Sequence, residues 1–158
     1  MLIGRIDELT LRPRLDGLLS LPNLAIIAEP ISFLVDTGAT NCLLGPADIA
    51  RLAPDLTVLQ RRDTVWAMSG PEECLITEGY VFFEDDSGTM HAYEIPRFFV
   101  TERALPGASD GAALRSPPSL LGMEILRHWR TRLSVAEGIV EFDVLHADVS
   151  YPRAAPPT

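Results

Sequence analysis

The sequence predicts a single all-β domain, and three observations predict it. At 158 residues the chain fits one ordinary domain and is too short for two substantial ones. Its 13 prolines and 11 glycines cut the apolar segments into short runs, the texture of strands joined by turns. Those runs are compact or alternating at strand length, and helical spacing is confined to two stretches. Hydrophobic residues make up 47% and charged residues 22%, ordinary globular proportions that supply a packed core.

The elements follow in order. Residues 31–35 form a compact apolar strand. Residues 46–53 suit two turns of helix, with Pro46 fitted to the first helical position and Pro54 ending it. Residues 74–84 alternate as a long strand, placing Leu75, Thr77, Gly79, Val81 and Phe83 on one face. Asp85-Asp86-Ser87-Gly88 is a hairpin turn into a strand at 90–93, and 98–101 continues the sheet. A second helix is predicted over 122–132, where Ile125, Leu126 and Trp129 share a face. Arg127, Arg130 and Arg132 crowd the C-terminal end of that segment, where positive charge complements the helix dipole. Strands at 133–135 and 139–142 flank Glu137-Gly138, a second hairpin signal. One domain is thus expected over 1–148, with an exposed, mobile loop at 103–118 and a flexible tail at 149–158.

Charge and composition exclude several functions. The formal charge is −9, with 22 acids against 13 bases, opposite to what phosphate contacts or an anionic membrane surface require. Every basic residue is arginine, so Schiff-base chemistry and a lysine-bearing phosphate loop are excluded. Cys42 and Cys74 are too few for a disulfide scaffold and lack zinc spacing; they read as buried apolar residues in a reducing compartment. His91, His128 and His146 are scattered, no Gly-x-Ser-x-Gly elbow occurs, and neither a metal nor a cofactor is implied. The first residues turn acidic too early for a signal peptide, and no apolar run approaches the roughly 20 residues of a membrane helix. A soluble, cytoplasmic protein is expected.

Phe33-Leu34-Val35-Asp36-Thr37-Gly38-Ala39-Thr40 carries the chemistry. An apolar strand delivers an aspartate at its end, followed at once by a hydroxyl residue, a glycine and a small residue. A carboxylate that activates water needs a fixed position, which a buried strand supplies. Thr37 offers a hydroxyl to lock the loop to a neighbour, and Gly38 lets the backbone bring its N–H to the carboxylate.

This segment resembles the active-site signature of retropepsin-like aspartic proteases. Ser119-Leu120-Leu121-Gly122-Met123-Glu124-Ile125-Leu126 resembles the family's second landmark, an apolar pair and a glycine leading into a helix. Between them, Trp66, Ala67, Met68, Ser69 and Gly70 stand where the family carries the tip of its flap hairpin. The resemblance runs from about Leu9 to Phe142 and implies a closed acid-protease barrel with a flap, a Ψ-type loop and one or two short helices. Two departures are visible: residues 103–118 lengthen the interval between the landmarks, and the flap tip holds one glycine and a proline.

Amide hydrolysis needs one group to take a proton from water and another to polarise the carbonyl. Two carboxylates about 3 Å apart cannot both ionise and so do both, as aspartic proteases exemplify. The chain is too short to hold two lobes. Asp86-Ser87-Gly88-Thr89 has the same form, but Glu84 and Asp85 break its apolar approach and it follows Asp36 too closely; it reads as a solvated turn. The resemblance therefore implies a homodimer with Asp36 from each copy at the two-fold axis. Thr37 would brace the opposite loop, Gly38, Ala39, Leu121 and Gly122 would support the dyad, and residues 66–70 would cover a peptide substrate. The competing reading is a dimerisation or peptide-binding module of the same fold with little or no cleavage.

Overall fold

The structure is a computed structural model that describes residues 1–67, 70–102 and 117–153. It is mostly β. Strands β1 (Leu2–Ile6), β2 (Pro13–Leu21), β3 (Ile26–Val35) and β4 (Leu43–Leu44) precede helix α1 (Pro46–Leu52). Strands β5 (Arg62–Ala67), β6 (Gly70–Glu84), β7 (Thr89–Thr101) and β8 (Leu120–Leu121) lead to a single-turn helix α2 (Met123–Leu126). Strands β9 (Trp129–Ser134), β10 (Ile139–Val144) and β11 (Val149–Pro152) complete the described residues. None of their helices is long and apolar enough to cross a membrane.

All the strands join one sheet in the order β5-β6-β7-β4-β8-β3-β2-β1-β10-β9, with β11 on β7. A further antiparallel pairing of Leu18–Ser20 with Tyr80–Phe82 connects β2 to β6, so the run from β2 through β3, β8, β4 and β7 to β6 returns to its starting strand. The core draws on the strands of this circuit and on β1, β9, β10 and both helices. Phe33 and Phe83 are essentially inaccessible, with ring centroids 6.1 Å apart, and Phe83 meets Trp129 edge-on at 5.1 Å. Such tilted and edge contacts are the arrangements that ring quadrupoles favour. The indole N–H of Trp129 donates to the Tyr93 hydroxyl at 2.6 Å, and that hydroxyl donates to the His146 carbonyl at 3.0 Å, so the polar atoms of this aromatic cluster are satisfied. Tyr80, by contrast, is exposed.

Two sequence expectations are corrected. The helix predicted over 122–132 ends at Leu126, and Trp129 opens strand β9. Six consecutive residues of β9 pair with β10, from Trp129 opposite Val144 to Ser134 opposite Ile139. Ile125, Leu126 and Trp129 are all buried, so their spacing reports burial rather than conformation, and the cross-strand ladder decides the latter. The tail expected from residue 149 starts instead as strand β11, paired from Val149 opposite Ala92 to Pro152 opposite Thr89. The Glu94 N–H donates to Asp148 at 2.8 Å, Ser150 meets the His91 ring at 2.9 Å and Arg153 bridges Glu84 at 2.6 Å. These contacts make an ordered strand of what composition alone marks as tail. The rest of that tail, 154–158, and 103–116 of the expected loop lie outside the described residues.

Candidate active site

The local architecture around Asp36 is built by threading. Strand β8 enters between β3 and β4, which are neighbours in sequence. It runs parallel to β3, with Leu34 opposite Leu120 and Val35 opposite Leu121, and antiparallel to β4, with Leu43 opposite Leu120. The Leu34 N–H donates to the Ser119 carbonyl at 2.9 Å and the Asp36 N–H to the Leu121 carbonyl at 3.1 Å. Phe33, Leu34, Val35 and Leu121 are buried. Asp36 therefore leaves a strand that hydrogen bonds and side-chain packing both immobilise.

Beyond β3 the chain turns around the carboxylate. The Gly38 N–H donates to Asp36 Oδ1 at 2.8 Å, and the Ala39 N–H donates to the Asp36 carbonyl at 3.2 Å. Asp36 and Ala39 are half-buried, whereas Thr37 and Gly38 are exposed. Gly38 is not among the glycines with positive φ, so its service is close N–H approach and not a left-handed turn. The carboxylate thus has one oxygen held by the backbone while the residue keeps partial access to solvent. Two exposed residues follow it at the loop tip.

The second landmark supports this loop from beneath. The Met123 N–H donates to the Ala39 carbonyl at 2.8 Å and the Glu124 N–H to the Thr40 carbonyl at 3.0 Å. Gly122 lies against the Asn41 backbone, and its N–H reaches the Cys42 sulfur at 3.4 Å. The Cys42 N–H in turn donates to the Glu124 carboxylate. Burial pushes the Cys42 thiol well up, with the Glu124 charge adding to the effect, so the sulfur stays neutral at ordinary pH. Burial likewise raises the Glu124 carboxyl, although the amide of Cys42 holds it back.

A second polar knot fixes the other side of the threaded strand. Ser119, fully buried, donates to Asp48 at 2.6 Å and accepts the Gly45 N–H at 3.0 Å. Asp48 also pairs with Arg51 at 3.0 Å, joining the approach to β8 to helix α1. Asn41, Cys42, Gly45, Asp48, Ser119 and Glu124 were not singled out by sequence reasoning for these roles. The legible signal was polarity within apolar surroundings, at Ser119 beside Leu120-Leu121 and at Glu124 beside Ile125-Leu126.

The chain that threads between two sequence-adjacent strands, under a loop that presents Asp-Thr-Gly, is the Ψ-type arrangement. The mostly β architecture and this threading agree with what the resemblance of the sequence to retropepsin-like proteases implies. It is similar to the crystal structure of a retropepsin-like aspartic protease from Rickettsia conorii, with 19% identity and a TM-score of 0.49, over 89% of this chain and 87% of that one. It is also similar to EIAV protease complexed with the inhibitor HBY-793, with 20% identity and a TM-score of 0.42, over 77% of this chain and 90% of that one. No protein-family model matches the sequence, and no curated protein matches it.

The site residues expected from the sequence divide into two groups. Asp36, Thr37, Gly38, Ala39, Leu121 and Gly122 come together in the loop and its support. Trp66, Ala67 and Gly70 belong to the β5–β6 hairpin, with Trp66 opposite Pro71 and Ala67 opposite Gly70. Gly70 has φ +111°, a value that L side chains rarely adopt. Met68 and Ser69, between them, lie outside the described residues. Asp86 occupies an exposed turn, where it is engaged by the Met1 amino group at 2.7 Å.

Proposed function

We propose that the chain is an aspartic endopeptidase whose catalytic unit is a homodimer, with Asp36 of each copy contributing to one dyad. The observation that carries this reading is the placement of Asp36 at the mouth of a buried strand, partly accessible, with Oδ1 held by the Gly38 N–H. The chemistry follows from two carboxylates that share a proton. The ionised member takes a proton from a water molecule as its oxygen attacks the scissile carbonyl; the protonated member donates to the carbonyl oxygen. Collapse of the tetrahedral adduct expels the amine, which receives the proton taken from water. Thr37, exposed beside Asp36, is available to brace the loop of the second copy. Strand β5 is an end strand of the sheet, which supports pairing of an extended peptide along the hairpin. The proposed setting is cytoplasmic, in keeping with two free, buried thiols.

The test is Asp36→Asn with solution mass measured alongside peptide cleavage. The expected result is a dimer in both proteins, with turnover reduced by on the order of 10³-fold or more in the variant. Undiminished cleavage by the variant, or full cleavage by a monomer, overturns the proposal. A pepstatin-type transition-state mimic should bind the wild-type dimer and not the variant. A dimer that neither cleaves nor binds the mimic is instead a peptide-binding module.

A further inference from the structure

The segment from Ala39 to Cys42 is held by three consecutive residues remote in sequence, Gly122, Met123 and Glu124, and by the Phe99 N–H, which donates to the Cys42 carbonyl at 3.1 Å. Met123 captures the Ala39 carbonyl, and Gly122 abuts the backbone of Asn41. Glu124 makes two bonds of opposite sense, from its own N–H to the Thr40 carbonyl at 3.0 Å and from the Cys42 N–H to its carboxylate. It therefore clamps the chain on both sides of Asn41. The carboxylate also accepts a hydrogen bond from the Asn41 side chain.

This matters for geometry because Asp36 is anchored at its own N–H by Leu121, two residues before the clamp begins at Met123. The loop from 36 to 42 is thus pinned at both ends to one short segment, 121–124, leaving Thr37 and Gly38 to project. Of the backbone N–H contacts that pin this loop to 121–124, the one from the Cys42 N–H to Glu124 is the one made by a carboxylate. We propose that Glu124 is a positioning residue for the Asp36 loop: its carboxylate fixes the Cys42 amide and thereby the course of the chain that carries Asp36. The catalytic consequence rests on the aspartic-protease reading; the mechanical one does not.

Two variants separate the acceptor from the bulk of the side chain. Glu124→Gln keeps an amide oxygen at the Cys42 N–H and removes the charge. Glu124→Ala removes the acceptor, with Glu124→Met as the volume-preserving alternative if the alanine variant does not fold. The first readout is amide hydrogen exchange across 36–42, which needs no activity. Exchange at Cys42 and its neighbours should accelerate on the order of tenfold in the Ala or Met variant and stay near wild type in the Gln variant. The second readout is cleavage by folded protein: kcat should fall on the order of 10- to 100-fold in the Ala or Met variant with KM nearly unchanged, and Gln should restore it.

Unchanged exchange in a folded Ala or Met variant overturns the inference, as does a Gln variant equally impaired in exchange. Wild-type protein that does not cleave sinks the protease reading while the exchange result still decides the role of Glu124. If wild-type protein cleaves and the Asp36→Asn variant does not, a wild-type exchange pattern in the Ala variant overturns only the positioning role.

Discussion

At position 122 the need for glycine is one of space. Its φ of −94° is open to any residue, but an added β-carbon would lie 2.4 Å from the Asn41 carbonyl oxygen and 2.6 Å from its carbon. Those atoms belong to the backbone of the loop that carries Asp36, so they cannot swing aside as a side-chain tip could. Gly122→Ala should therefore cost about 1–3 kcal/mol through overpacking, read from the urea midpoint. Peptide cleavage should fall further than the folded fraction does, because relief requires the loop to move. Equal stability in the two proteins would show that the contact relaxes without strain. The apolar pair and glycine were legible in the sequence, and so was Asp36. The surface against which Gly122 packs was not, since Asn41 is remote in sequence and carries no local mark of that contact.

Among the elements, the turn between β6 and β7 shows how a local motif can mimic a catalytic one. Asp85 Oδ1 accepts the N–H groups of Ser87 and Thr89, both at 2.9 Å, and Gly88 completes the turn at φ +77°. Burial pushes the Asp85 carboxyl upward, but the Ser87 hydroxyl, the Thr89 amide and the His91 ring outweigh it and hold the group well below the usual carboxylate range. The sign follows from that depression. The stabilisation is complete above the unfolded-state value near 4 and is lost as pH falls through the lower folded-state value. Asp85→Ala should thus cost about 1–2 kcal/mol near neutral pH, with the deficit shrinking in strong acid. Urea midpoints at both conditions check this, and a pH-independent deficit would contradict it. The turn and its flanking strands were readable from Asp, Ser and Gly after an apolar run. Strand β9 was not, because Ile125, Leu126 and Trp129 satisfy helical spacing and only the ladder to β10 discriminates.

For the whole molecule, both thiols report on global integrity. Cys42 and Cys74 are buried in separate apolar clusters. Burial raises Cys42 well above its ordinary value and raises Cys74 to about 11, with nearby glutamates reinforcing the second shift. Neither should react appreciably with a thiol reagent in the native protein, and both should react promptly once urea unfolds it. Rapid native labelling of either would place it on an opening segment. The long strands β6 and β7 span the molecule and pair from Cys74 opposite Thr101 to Glu84 opposite Met90. That pairing joins the hairpin at Gly70 to the Asp85 turn and gives β11 its partner.

Sequence alone determined the all-β texture and an aspartate delivered by an apolar strand into Thr-Gly-Ala, but not strand length, since β6 runs on through Gly79 and β7 through Pro96. These are local properties, written in spacing and in the backbone limits of single residues. Tertiary structure decided the insertion of Leu120–Leu121 between β3 and β4, the capture of Cys42 by Glu124, the conversion of 129–134 to strand and the docking of Val149–Pro152 on β7. The reason is that periodicity records whether a residue is buried, whereas the partner that buries it depends on long-range chain closure.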